Sequence, residues 1–239
     1  MILFLFGCLS GVTTVLFGFG GGFVTVPVVA AVTSRGDPMH VAVATSAAVM
    51  AVNSVSATAV QARAGRLRRD YLWPLAAFVA VGAAIGAIAA TKADDSLLRI
   101  LFVVYLAVTI VDSLARRGFL SQGEPQPLST FTTTIGGVGI GAVASFLGVG
   151  GSVMTVPLLR RKGLPMAEAA AMANPLSVPV AVIATAVYAT YVDLGAAAAL
   201  LAGSLPTIAI VRRFADRMPD RVHAIAYLAL LAAALVAVV

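Results

Sequence analysis

The sequence predicts an all-α membrane protein: a polytopic helical bundle of two inverted repeats, each a Gly-broken helical hairpin plus three transmembrane helices. Three observations predict it. Of the 239 residues, 60% are hydrophobic and 11% charged, whereas soluble domains carry roughly 45–50% apolar and about 25% charged residues. The charges fall between long apolar runs, and a spanning helix needs about 20 apolar residues. A Gly-rich stretch near the start recurs in the second half at a constant offset of 130.

The apolar runs cover approximately 2–33, 41–62, 71–91, 97–115, 129–159, 167–190, 193–211 and 222–239. Backbone groups in lipid must be satisfied within their own segment, so such runs form helices. They lack the polar–apolar alternation of membrane-barrel strands. A linker at 118–128 holds Gln122, Gly123, Glu124, Pro125, Gln126 and Pro127, and separates an N-terminal repeat (1–117) from a C-terminal one (129–239). Met1 to Phe6 lack the basic flank of a signal peptide, so the first run reads as part of the mature protein. Cys8 is the only cysteine, which excludes an intrachain disulfide.

The duplication is local and sharp. Residues 18–27 align with 148–157, with identity at Gly18/Gly148, Gly20/Gly150, Gly21/Gly151, Thr25/Thr155, Val26/Val156 and Pro27/Pro157. Each copy sits inside a long apolar segment, followed by three ordinary ones, a common organisation in transporters. A segment this long would extend about 46 Å as one helix at 1.5 Å per residue, more than a hydrocarbon core of about 30 Å. Gly clusters followed by Pro interrupt helix hydrogen bonding. The segment therefore either crosses with a kink or folds back as a hairpin.

The basic residues choose between these. Single crossings split Lys and Arg 6 against 10. Hairpins place Arg63, Arg66, Arg68, Arg69, Arg116, Arg117, Arg160, Arg161, Lys162, Arg212, Arg213, Arg217 and Arg221 on one side, leaving Arg35, Lys92 and Arg99, a split of 13 against 3. The positive-inside rule favours the hairpins. The linker is then cytoplasmic, both termini lie outside, and three crossings per half invert the second repeat. A bacterial inner (plasma) membrane is the expected location. The basic excess reads as this loop bias and not as nucleic-acid binding, since no basic residue alternates with stacking aromatics. Tyr71 and Trp73 beside Arg68 and Arg69 read as an interfacial anchor.

Candidate binding residues cluster at the breaks. Gly20, Gly21 and Gly22, with Gly150, Gly151 and Ser152, allow a sharp break and close approach of a ligand to the backbone. A short helix follows each, roughly 22–33 and 152–160. Its first N–H groups and dipole make an anion site. Thr25 and Thr155 add a cap or a hydroxyl donor, although Pro27 and Pro157 would equally mark the first turn. The alternative role of the glycines is close helix packing. Every Asp and Glu lies at or near a segment end, which disfavours a cation path built on buried carboxylates. Thr45, Ser46, Asn53 and Asn174 are polar residues within spans and candidate pocket walls, against a role in interhelical hydrogen bonding. His40 and His223 look isolated, without a second ligand at metal spacing. No metal, no cofactor and no nucleophile–base pair is expected.

At these residues the chain resembles the sulfite exporter TauE/SafE family of membrane proteins. The paired G-x-G-G-x-x-x-T-V-P stretches, the central linker and Ala44-Thr45-Ser46 carry the resemblance, which covers essentially the whole chain. It implies passage of small anions, typically sulfite or organosulfur compounds. Gly20, Gly21, Gly22, Gly150, Gly151 and Ser152 match the motif by position. Ser152 replaces its third Gly, and Ala173-Asn174-Pro175 stands where the second half often carries a Thr-Ser-like pair.

The expected function is secondary transport of a small anion held at the midplane between the breaks and moved by alternating access. A channel-like anion pore and a non-transporting assembly protein are the alternatives. A membrane enzyme is disfavoured for want of acid–base candidates. The expected partners are the anion and the lipid bilayer, with room for a homodimer.

Overall fold

The computed structural model describes residues 1–34, 36–65, 67–115, 119, 123–214 and 218–238. Among them all regular structure is helical: α1 (Ile2–Phe17), α2 (Gly22–Val32), α3 (Pro38–Arg63), α4 (Arg69–Leu72), α5 (Leu75–Ala90), α6 (Asp95–Ala115), α7 (Gly137–Leu147), α8 (Ser152–Arg161), α9 (Met166–Val187), α10 (Leu194–Val211) and α11 (Asp220–Val238). A π-helical turn (Thr132–Gly136) leads into α7, and a 3-10 turn (Ala189–Tyr191) follows α9. Five stretches are long and apolar enough to cross a membrane: Pro38–Arg63, Arg69–Ala90, Asp95–Ala115, Met166–Val187 and Leu194–Val211. The outer face of α6 leaves Leu97, Ile100, Leu101, Val104, Val108 and Val111 exposed. Such a patch would drive association in water and is at rest against lipid.

Both long Gly-containing segments are broken, and the sequence shows why. Gly18 ends α1 in the left-handed region (φ 72°), and Gly148 ends α7 in the same way (φ 67°). An L side chain rarely adopts this conformation, so Gly is the natural helix stop. α1 and α2 then fold back on each other: Ile2, Phe6 and Leu9 share one apolar groove with Val24, Val28 and Val32.

The two long central helices, α3 and α9, pack side by side in opposite directions. Arg68, just beyond α3, meets Glu168 at the start of α9 at 3.4 Å, while His40 at the start of α3 stacks near Tyr191 beyond the end of α9 at 5.2 Å. Around this pair the halves exchange partners. α1 packs on α10, and α7 packs on α5. Small residues allow the backbones to meet. A Cβ on Gly7 would collide with the Leu200 carbonyl, on Gly203 with that of Phe4, on Gly82 with that of Val138, and on Gly141 with that of Val79.

The loops sort into two ends. At one, Tyr71 donates to the Gln126 carbonyl (2.9 Å), Arg160 donates to that of Phe119 (2.8 Å), and the Gln126 N–H donates to that of Lys162 (2.8 Å). The linker thus docks on this end. Tyr71 is buried under it and Trp73 remains 70% exposed, so of the expected aromatic anchor only Trp73 is free to meet lipid. At the other end lie His40, Asp95, Tyr191 and Asp193.

Candidate functional site

The two breaks come together at the middle of α3 and α9. A Cβ on Gly22 would stand 2.8 Å from the Gly148 carbonyl oxygen and 3.3 Å from the Val149 Cα. Gly20 (φ 60°) and Gly150 (φ 69°) repeat the left-handed conformation. Both abut one side chain, Met50: a Cβ on Gly20 would lie 2.6 Å from its Cγ, and one on Gly150 2.5 Å from its Sδ. Met50 is fully buried. Its flexible thioether fills the space between the breaks.

Around this seal the polar groups differ by side. On the first break, a Cβ on Gly21 would lie 3.0 Å from Asn53 Nδ2. Asn53 donates to Ser10 Oγ (3.3 Å) and accepts from Ser204 Oγ (2.8 Å), tying α1, α3 and α10 together. Thr25 Oγ1 lies 2.8 Å from Ser46 Oγ and 3.1 Å from the Gly21 carbonyl oxygen. On the second break, the hydroxyls of Ser152 and Thr155 are buried and have no partner among the described residues, and neither has Ser54 Oγ beside Gly20. Neither α2 nor α8 has a side-chain cap at its start; their third and fourth N–H groups donate to the Gly21 and Gly151 carbonyls, and the first two are the donors of a helix terminus.

The structure therefore gathers Gly20, Gly21, Gly22, Gly150 and Asn53 at the meeting point, with Thr25–Ser46 one turn into α2 and Ser152 and Thr155 in the first turn of α8. It turns three other candidates away. Gly151 (φ −72°) faces Ile140 of α7, with 3.2 Å to a Cβ. Thr45 accepts the Asp193 N–H (2.9 Å) ahead of α10. Asn174 donates to the Thr14 carbonyl (3.1 Å), leaving its Oδ1 without a partner. Met50, Ser10 and Ser204 carry no sequence signal that separates them from the apolar runs around them. The short helices begin at Gly22 and Ser152, so Pro27 and Pro157 sit inside them and not in their first turn.

Two cavities flank the breaks. One of about 430 Å³ lies between α2, α3 and α6 and includes Val26, Pro27, Asp95 and Arg99. Another of about 400 Å³ lies between α6, α7 and α8 and includes Pro157, Asp112 and Arg161. The equivalent prolines Pro27 and Pro157 thus each line one. The reading of His40 as isolated is corrected here: its Nδ1 lies 2.6 Å from Asp95 Oδ1, with Asp37 also beside it. Residues 37 and 95 come together only because α3 and α6 start at the same end. At 2.6 Å the contact is a hydrogen bond, shorter than two ligands of one ion stand apart.

The family model for the sulfite exporter TauE/SafE family matches residues 3–238. The chain belongs to this family. A curated relative described as a "Probable membrane transporter protein", from Haemophilus influenzae (strain ATCC 51907 / DSM 11121 / KW20 / Rd), is 27% identical over 177 residues. The match covers 71% of this chain and 66% of the relative, so it spans just under two thirds of that protein's length. No solved structure matches significantly. As a TauE/SafE member with five long apolar helices among its described residues, the chain is a multi-pass membrane protein.

Proposed function

We propose that this TauE/SafE protein is a secondary transporter of a small anion, sulfite or an organosulfur anion, bound at the midplane between the two breaks. One observation carries the reading: two Gly-rich helix starts converge on Met50, and the buried hydroxyls beside them lack partners. The donors named there are N–H and O–H groups without formal charge. Helix dipoles and N–H groups stabilise a negative charge, and in a dry site each such bond is stronger than in water. Hydroxyls can also accept, so the two helix N-termini, whose N–H groups only donate, are what favour a small oxyanion over a cation.

The antiparallel course of α3 and α9 supports inverted repeats, and the exchange of α1 and α7 between halves suits a rocking motion about the central pair. Met50 is the occluding group in the closed arrangement. The end carrying the linker and the Arg-rich loops faces the cytoplasm in this reading, with both termini outside and the inner membrane as the location.

Purified protein in liposomes tests it against sulfite, sulfonates, thiosulfate and phosphate. Saturable exchange of sulfite or a sulfonate, with phosphate excluded, is expected. Steady conductance without saturation would make the protein a pore, and absence of any flux would leave an assembly role. In cells, cysteines introduced at 191–193 are labelled from outside and ones at 160–166 are not; the reverse pattern overturns the orientation.

A further inference from the structure

The two ends of the bundle are fastened by similar devices, an aspartate shared between a backbone N–H and a basic side chain, but the basic side chain comes from a different element at each end: Arg160 from α8 and His40 from α3. At the start of α9, the Met166 N–H donates to Asp220 Oδ1 (2.8 Å), and the other carboxylate oxygen receives the Arg160 guanidinium. At the start of α3, the Met39 N–H donates to Asp95 Oδ2 (2.9 Å), and the other oxygen lies 2.6 Å from His40 Nδ1. Asp95 opens α6 and Asp220 opens α11, the last helix of each repeat. Each aspartate thus ties the last helix of its half to the start of the central one.

The basic partners differ in kind. Arg160 is fully buried, donates also to the Phe119 and Leu164 carbonyls, and keeps its charge at every pH. His40 is an imidazole, which donates from one ring nitrogen when neutral and from both when protonated. Its second nitrogen, Nε2, lies 3.4 Å from the Ala90 carbonyl oxygen. Both ring nitrogens therefore face acceptors, on α6 and at the end of α5. Only a protonated imidazole donates from both. The neutral ring leaves one lone pair directed at an oxygen, and one of the two ties is lost.

We propose that His40 is a proton-binding site whose protonation fastens α3 to α5 and α6 at this end, while Arg160 fastens the opposite end permanently. Asp95 from α6, Asp37 from the start of α3 and the ring of Tyr191 face it. Lys92 and Asp94 in the turn before α6, Arg99 on α6 and Asp193 ahead of α10 are the other charged residues at this end of the elements packed against it; Asp112 of α6 lies toward the opposite end, beside Arg161. Behind the latch lies the cavity of about 430 Å³ between α2, α3 and α6, whose wall includes the buried Val26. Ala31, Ser96 and Arg99 at its rim are exposed, and release of the latch admits water to its buried Val26 side.

The test reads thiol labelling, not flux, so it stands or falls separately from the transport reading. In the full-length protein with Cys8→Ala and Val26→Cys, the introduced thiol is reacted with a membrane-impermeant reagent from about pH 5 to about pH 8.5, spanning the ordinary His range. Rates are normalised to the denatured protein at each pH, which removes the titration of the thiol itself. With His40 present, labelling rises about tenfold toward high pH, the loss of one charge-assisted hydrogen bond. With His40→Gln it is flat. With His40→Arg, which keeps a donor charge beside Asp95 at every pH of the series, it is slow throughout. A pH dependence that survives His40→Gln overturns the proposal, and so does equally fast labelling of a folded His40→Arg protein. If His40→Arg does not fold, His40→Gln decides alone.

Discussion

The two breaks share a backbone and differ in chemistry. Gly18 and Gly148, then Gly20 and Gly150, adopt the same left-handed angles in both copies. Beyond that point they part. Gly21 has φ 98° and Gly151 has φ −72°. Thr25 is paired with Ser46, whereas Ser152 and Thr155 have no partner among the described residues. The first break is thus tied to α3 through Thr25, with only Ser54 Oγ of α3 left without a partner beside Gly20, and the second keeps both of its own hydroxyls available. Duplication preserved the geometry that stops and restarts a helix. It did not preserve the side chains that decide who uses the donors. On the proposed transport reading, the first copy is the scaffold and the second supplies the hydroxyl donors.

The largest effect falls where the copies agree. Gly20→Val and Gly150→Val each place a β-branched side chain at a left-handed φ and against Met50 or Ser54. Backbone strain of about 1–3 kcal/mol adds to a collision in a packed interior. Anion flux in liposomes is expected to vanish for both while membrane insertion, read by fractionation, persists. Flux at the unsubstituted rate from either variant breaks the shared-geometry side of the comparison.

A smaller effect separates the copies. Gly21→Ala meets a left-handed φ, Ser10 and Asn53, and is expected to destabilise by about 1–3 kcal/mol. Gly151→Ala sits at an ordinary helical φ with its nearest neighbour at 3.2 Å and is expected to change stability by less than about 1 kcal/mol. Thermal unfolding in detergent ranks them, and equal shifts would erase the distinction.

The smallest effect sharpens it. Thr25→Val removes a buried hydrogen bond to Ser46 and should lower stability by about 1 kcal/mol. Thr155→Val has no such bond to lose, so stability holds. Its anion KM is instead expected to rise about tenfold, the size of a lost bond to a charged ligand. A raised KM for Thr25→Val with an unchanged one for Thr155→Val would reverse the assignment of roles.

Much of the architecture was legible because lipid restricts the backbone to few options. The helices, both breaks and the short helices after them follow from apolar length and Gly punctuation, and α2 and α8 start within the expected copies and run on through Pro27 and Pro157. Side-chain direction was not legible. Thr45 and Ser46 are adjacent in α3, and only Ser46 meets the break, because successive helical positions point about 100° apart. The glycines have two uses that composition does not separate. Gly7, Gly82, Gly141 and Gly203 serve close packing, whereas Gly20 and Gly150 serve the break. The difference is one of φ, which no residue name contains.

By itself the sequence determined the membrane class, the duplication and the places where helices must stop, since these depend on apolar length and on which residues tolerate a left-handed turn. The tertiary structure alone decided that Met50 sits between the breaks, that the repeats exchange α1 and α7, and that His40 meets Asp95. His40 and Asp95 are 55 positions apart, and Met50 and Gly150 farther still; only packing of whole helices brings such atoms within contact.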